Sequence, residues 1–290
     1  MTNETMDRTP IDLNPTAQTA ARTPAGTQVR VEGLRVGYAH VPVLDGVDLT
    51  IPTGAVTAIV GPNGCGKSTL LRAMARVLTP QAGAVVLDGR PVHRMPTKTV
   101  ARMLGLLPQS NVVPEQLTVR DLVQRGRYPH RGAFARWSPE DQRAVDDALR
   151  DTGTTELADR PVDELSGGQQ QRAWVAMVLA QRTPVLLLDE PTTYLDLAHR
   201  LEILRLLRRL NAERRVTVAM VLHDLDEACR YADHVVAMRD GEVVAAGPPR
   251  DVVTPAMVEA VFGVPCTTVP DPVTGTPIVV PLEEEHPGPP

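Results

Sequence analysis

Nine residues, Gly61-Pro62-Asn63-Gly64-Cys65-Gly66-Lys67-Ser68-Thr69, follow directly on the apolar run Val56-Thr57-Ala58-Ile59-Val60. They fit the phosphate-cradling pattern G-x-x-x-x-G-K-[ST] in the context that gives it meaning, a strand before and a helix after. The glycines let the backbone curl with its N–H groups pointing inward. A helix starting near Gly66 adds the positive end of its dipole, so a polyphosphate is held mainly by main chain. In this reading Lys67 reaches the β/γ-phosphates, Ser68 ligates Mg²⁺, and the chain binds a nucleotide.

Composition isolates Lys67 further. Of 30 basic residues only Lys67 and Lys98 are lysine, in a chain that otherwise uses arginine. A lysine kept in such a background suits a tight cradle, where a compact ammonium fits and the wide guanidinium fork does not.

The chain's 290 residues, 42% of them hydrophobic, are enough for one large α/β domain, or a core with a smaller subdomain, with a buried interior. Its net charge of −5 implies no strongly basic face, so nucleic acid is not the expected partner. Cys65, Cys229 and Cys266 lie far apart and match no metal-ligand spacing, which points away from a zinc site or a disulfide framework and toward the cytosol. No apolar run approaches the roughly 20 residues a membrane-spanning helix needs. Residues 1–27, rich in Thr, Ala and Pro, and the acidic, proline-rich residues 283–290 read as disordered tails.

Between the tails the pattern changes along the chain. Short alternating runs over residues 28–60 predict an antiparallel sheet, and residues 85–89 add a strand and turn. From about 118 to 182 the spacing is helical, with Ser138-Pro139 as an N-cap and first turn, and this stretch reads as an inserted helical subdomain. Two continuously apolar runs, 185–188 and 216–222, flank a helical segment over 199–211 with Leu201, Leu204, Leu207 and Leu210 on one face. Strands apolar on both sides and joined by a helix predict a parallel sheet buried between helices. Ligands of such open sheets sit at the carboxyl ends of the strands, where the glycine-rich loop falls. Residues 241–282 read as further short strands and turns.

Two more motifs carry chemistry. Asp189 and Glu190 directly follow the apolar run 185–188. Asp189 is suited to hold Mg²⁺ through a water, and Glu190 to polarise the water that attacks the γ-phosphate. Residues Leu165-Ser166-Gly167-Gly168-Gln169 precede a helix read over 170–181, and a serine with two glycines at a helix start forms a second anion site.

With that pentapeptide the sequence resembles the ATP-binding cassette (ABC) ATPases, whose signature is LSGGQ. The resemblance spans roughly residues 28–282. It implies a P-loop NTPase fold: a RecA-like parallel sheet, an N-terminal antiparallel β subdomain and an inserted helical subdomain. It implies ATP and Mg²⁺ as ligands. Gln109 matches the glutamine that touches Mg²⁺ and senses the transmembrane partner, and Tyr38 the aromatic that stacks on adenine. Tyr194-Leu195-Asp196 matches the loop that crosses the dimer interface, and His223 the histidine that contacts the γ-phosphate. It further implies a head-to-tail homodimer in which each ATP lies between the P-loop of one copy and residues 166–169 of the other.

Within the family, residues 118–130, 189–196, 223–225 and 228–233 resemble the subgroup that serves bacterial importers of iron–siderophore complexes, related to those for haem and cobalamin, and Cys65 inside the loop fits it too. This implies a peripheral subunit on the cytoplasmic side of the cell membrane, with integral permease subunits and, indirectly, a substrate-binding lipoprotein as partners. A haem or cobalamin importer, or a soluble ABC-type ATPase of a non-transport assembly, is the alternative. Asp226-Glu227 departs from the family, which often has an amide and a less charged residue there, and Gln170 stands where arginine is frequent.

Overall fold

The computed structural model describes residues 27–38, 41–109, 116–132 and 136–282. Both expected tails lie outside the described residues, except Thr27, which is buried.

Two sheets carry the domain. Strands β1 (Val29–Tyr38), β2 (Val41–Ile51), β4 (Ala82–Leu87) and β5 (Arg90–Pro91) form an antiparallel sheet in the order β2-β1-β4-β5. Alternation of buried and exposed residues along β1 shows why: one face packs on the core and the other meets solvent. The expected antiparallel region ends at Ile51, because β3 (Val56–Val60) leaves for the second sheet, where all its residues are buried.

That second sheet has the order β10-β9-β3-β8-β7-β6, with β6 (Leu104–Leu107), β7 (Val185–Asp189), β8 (Thr217–Val221), β9 (His234–Arg239) and β10 (Glu242–Gly247). From β9 to β6 neighbouring strands run parallel, and β10 adds an antiparallel edge. Ile59, Leu187, Ala219 and Met238 face the antiparallel sheet, while Ala58, Leu186, Val218 and Met220 face helices on the other side. Burial on both faces explains the unbroken apolar runs in the sequence.

Helix α1 (Lys67–Met74) follows β3, and α2 (Thr97–Met103) leads into β6. The insert comprises α3 (Val119–Arg125), α4 (Pro139–Asp151) and α5 (Gly167–Ala180), around a core of Val119, Leu122, Val145, Leu149, Ala173 and Ala176. Ser138 and Asp141 make a full capping box on α4. Helix α5 starts three residues before the expected 170, because Ser166 caps it by accepting from the Gln169 N–H at 3.3 Å. Gln170, the departure from the family pattern, donates its amide to the carbonyls of Val162 and Leu165 at 3.1 and 3.2 Å and so fixes the start of α5.

Helix α6 (Leu197–Arg214) is longer than the expected 199–211, and its buried face is Ile203, Leu204, Leu206, Leu207 and Leu210; Leu201 is only partly buried. Helix α7 (Leu225–Tyr231) follows β8. The reading of 241–282 as strands and turns is corrected by two helices, α8 (Pro249–Val252) and α9 (Pro255–Phe262). Thr254 accepts from the Met257 N–H and Pro255 occupies the first helical turn, a start signal that outweighs the local β-branched residues. A hairpin, β11 (Cys266–Pro270) with β12 (Pro277–Pro281), closes the described chain. Among the described residues no helix is long and apolar enough to cross a membrane.

Candidate functional site

Four neighbouring parallel strands, β3, β8, β7 and β6, deliver their carboxyl ends to one edge of the sheet. Each is followed by an expected site residue: the glycine-rich loop after β3, His223 after β8, Asp189 and Glu190 at the end of β7, and Gln109 after β6. Strand order thus brings together residues far apart in sequence. Gln109, Glu190 and His223 line a cavity of about 370 Å³ together with Val43, Asn63, Gly64, Gly66, Lys67, Ser68 and Thr69, and Asp189 is buried beside it.

The loop's conformation depends on its glycines. Gly61 has φ 151°, and a Cβ there would stand 2.2 Å from the Met238 carbonyl oxygen of β9. Gly64 has φ 80° and nothing within 4 Å of where a Cβ would be, so its bare backbone faces the cavity. Lys67 is buried, and its Nζ donates to the carbonyls of Gly61 and Pro62, each at 2.8 Å. Cys65 is buried beneath the lysine, Sγ to Nζ 3.9 Å, and burial pushes its thiol pKa up.

Ser68 Oγ donates to Asp189 Oδ1 at 2.8 Å, which joins α1 to the end of β7. Asp189 has no exposed surface, and its second oxygen, Oδ2, has no partner among the described residues. Burial, and to a lesser degree the neighbouring Glu190 charge, pushes the Asp189 carboxyl up, although the Ser68 hydroxyl pulls it down. A buried carboxylate oxygen without a donor, beside a serine hydroxyl, is a hard-oxygen pair of the kind Mg²⁺ takes. No cluster of three acidic, His or Cys ligands occurs among the described residues.

Glu190 is nearly buried and has φ 54°, a left-handed conformation uncommon outside glycine that turns the chain sharply out of β7. Its Oε1 lies 2.8 Å from Gln109 Nε2, which donates to it, and 2.9 Å from His223 Nε2, while its Oε2 accepts from Thr193 Oγ1 at 3.0 Å. Burial raises its pKa, but the bonds from His223, Thr193 and Gln109 outweigh that and hold the carboxyl below the usual glutamate range. Gln109 here touches Glu190 rather than the Ser68–Asp189 pair.

The remaining expected residues stand outside the cavity. Tyr38 ends β1, 44% exposed, with its hydroxyl 3.5 Å from Arg72 Nη1 of α1. Ser166 and Gly167 are exposed at the tip of α5, followed by the partly buried Gly168 and Gln169. Asp196 caps α6 from an exposed position and accepts from both the backbone N–H and the ring of His199. The exposed Tyr194 lies next to the signature segment, its Cβ 4.0 Å from the point where a Gly167 Cβ would be.

Sequence reasoning passed over two site residues. Val43 lines the cavity from β2, where its position depends on an irregular register with β1. Thr193 was legible, as a hydroxyl three residues after Glu190.

Residues 44–193 match the family model described as ABC transporter. The chain belongs to the ABC transporter family. Among ABC proteins it is similar to the ferric enterobactin transport ATP-binding protein FepC of Escherichia coli (strain K12), 52% identical over 260 residues, 90% of this chain and 96% of that protein. It is similar to the achromobactin transport ATP-binding protein CbrD of Dickeya dadantii (strain 3937), 51% identical over 261 residues, 90% of this chain and 97% of that one. A metal-chelate type ABC transporter in an inward-facing conformation has the same fold, with a TM-score of 0.75 and 28% identity over 89% of this chain and 98% of its own. The dimeric cassette MJ0796 in a post-hydrolysis state bound to ADP and Pi gives a TM-score of 0.69 and 29% identity over 76% of this chain and 98% of its own. The ABC family binds and hydrolyses ATP, and the RecA-like core, antiparallel subdomain and helical insert are those of an ABC ATPase.

Proposed function

We propose that this chain is the ATP-hydrolysing subunit of a bacterial importer of iron–siderophore complexes, acting as a homodimer bound to permease subunits at the cytoplasmic side of the membrane. The observation that carries the cargo assignment is identity above 50% over nine-tenths of the chain to two siderophore-import ATP-binding proteins. An extracytoplasmic binding lipoprotein is the indirect partner that hands over the chelate.

The geometry, together with the family resemblance, supports the following division of roles. Lys67 and the backbone N–H groups of residues 61–69 hold the β- and γ-phosphates on one side, and Tyr38 offers its exposed ring to the adenine. Ser68 and Asp189 hold Mg²⁺, with Gln109 close by. When bound, the ion neutralises phosphate charge. Glu190, kept ionised by its three donors, accepts the proton of the water that attacks the γ-phosphate, and His223 steadies that carboxylate and reaches the same phosphate.

The cavity is open on its remaining side, and the exposed Ser166 and Gly167, with the partly buried Gly168 and Gln169, lie elsewhere on the same chain. A second copy turned head to tail brings its α5 tip, an anion site by geometry and dipole, onto the γ-phosphate, with Asp196 at the seam. Hydrolysis removes the shared ligand, the dimer loosens, and the permease is driven between states by differential affinity.

Uptake tests the cargo. Cells lacking this gene are expected to lose accumulation of radio-iron from a ferric siderophore, to regain it with the parental gene and to stay deficient with Glu190→Gln. Unchanged iron uptake with loss of haem or cobalamin uptake would move the assignment to the alternative cargo.

A further inference from the structure

We propose that Asp226 is a positioning residue for ATP hydrolysis, through which the C-terminal hairpin β11–β12 sets the placement of His223. This rests on the reading of Glu190 and His223 given above.

Helix α7 begins two residues after His223, and Asp224 caps it by accepting from the N–H groups of Asp226 and Glu227 at 2.9 and 3.0 Å. The histidine's backbone is therefore continuous with a helix whose orientation is set by whatever grips that helix. Three side chains of α7 take hold of other elements. Glu227 meets Arg200 of α6 at 3.2 Å, Arg230 meets Asp271 of the hairpin loop at 3.0 Å, and Asp226 Oδ1 accepts from the Val279 N–H of β12 at 2.9 Å. Two of the three grips belong to the hairpin.

The sequence of β12 singles out the Asp226 contact. Positions 277, 279 and 281 share one side of the strand by its period of two, and the first and last are proline, which has no N–H. Val279 carries the remaining N–H of that set, and it goes to Asp226. The β12 edge, blunted by proline at 277 and 281, is protected from pairing with another strand, and the one donor of its outward set serves an internal contact. The side chains agree: Val279, Phe262 and Val264 border a groove whose other wall is His223, Leu225 and Asp226. His223 thus stands between Glu190 and the C-terminal segment, and Asp226, a departure from the family pattern, joins the two.

The test measures steady-state ATPase of the full chain, with nucleotide affinity in parallel, for Asp226→Ala, Asp226→Asn, Val279→Pro and the double variant Asp226→Ala/Val279→Pro. Loss of a hydrogen bond to a charged group predicts a fall in kcat of about ten-fold for Asp226→Ala at unchanged KM and ATP affinity. Asn also accepts at Oδ1, so Asp226→Asn should recover most of the rate. Val279→Pro should match Asp226→Ala, and the double variant should fall no lower than either single one. A parental rate in Asp226→Ala, an Asp226→Asn variant as slow as Asp226→Ala, a raised KM, or additive losses in the double variant would overturn the proposal. Glu190→Gln serves as the reference: if it hydrolyses ATP normally the catalytic reading fails, whereas an inactive Glu190→Gln beside a fully active Asp226→Ala removes only the role of the hairpin.

Discussion

His223 Nε2 lies 2.9 Å from Glu190 Oε1, the oxygen to which Gln109 also donates. Three strand ends, those of β6, β7 and β8, therefore converge on one carboxylate. Anything that shifts one strand end changes how that carboxylate is held, which makes its basicity a property of the whole sheet edge.

His223→Ala removes one of the donors that keep Glu190 ionised. Because those donors depress the Glu190 pKa, their loss must raise it, and the acidic limb of the kcat–pH profile is expected to move to higher pH. The rate at neutral pH should fall by about 10²-fold or more. A pH–rate profile of the variant beside the parent checks both, and an acidic limb moved downward would contradict the assignment.

Lys67→Ala withdraws an ammonium that the loop carbonyls hold at the mouth of the cradle. ATP affinity is expected to weaken by about 10- to 100-fold, the loss of a charge-assisted contact. Fluorescence titration with a labelled ATP analogue gives the number, and unchanged affinity would remove the lysine from the cradle.

The insert has its own stability switch. Arg127 Nε lies 2.9 Å from Asp141 Oδ1, both side chains are buried, and Arg127 also donates to the Ala180 carbonyl at the end of α5. Burial pushes the Asp141 carboxyl up, but bonds from Arg127 and Ser138 outweigh it and hold the pKa below the ordinary aspartate value. A depressed folded-state pKa means that the contribution is complete above about pH 4 and is lost as pH falls through the folded value. Arg127→Leu, which leaves the carboxylate buried and unpaired, is expected to cost about 3–5 kcal/mol, and adding Asp141→Leu should recover part of it. Urea unfolding of the two variants measures this; a double variant less stable than the single would contradict it.

Much of this was legible from local pattern. The glycine-rich loop, Asp189-Glu190 and the Ser138 and Ser166 caps are each written in a few consecutive residues, and both buried strands around them followed from unbroken apolar runs. What escaped was short or long-range. Helices α2, α7, α8 and α9 have eight residues or fewer, too short for a helical period to stand out, although the Thr254-Pro255 start was there to be seen. The Gln109–Glu190 bond spans 81 positions and exists because β6 and β7 are neighbours, and a sequence does not print strand order. The contact of Asp226 with Val279, 53 positions apart, is hidden for the same reason.

Ser166→Arg places a long cation on the exposed tip of α5, away from the cavity of its own chain. It is expected to leave nucleotide binding intact and to lower hydrolysis in the homodimer by about 10²-fold, the scale of losing an anion-stabilising group. Mixed with parental chain it should poison one site per mixed dimer. A fully active mutant homodimer would show that the segment serves no shared site.

The central claim is that one triphosphate is held between two copies. Glu190→Gln keeps the cradle and removes the base, so Mg-ATP should convert this variant from monomer to dimer, and ADP should not. Light scattering coupled to size exclusion, run with each nucleotide, measures the mass directly. A doubling of mass with Mg-ATP alone is the expected result, and a variant that binds Mg-ATP yet stays monomeric, with its permease present or absent, would contradict the account.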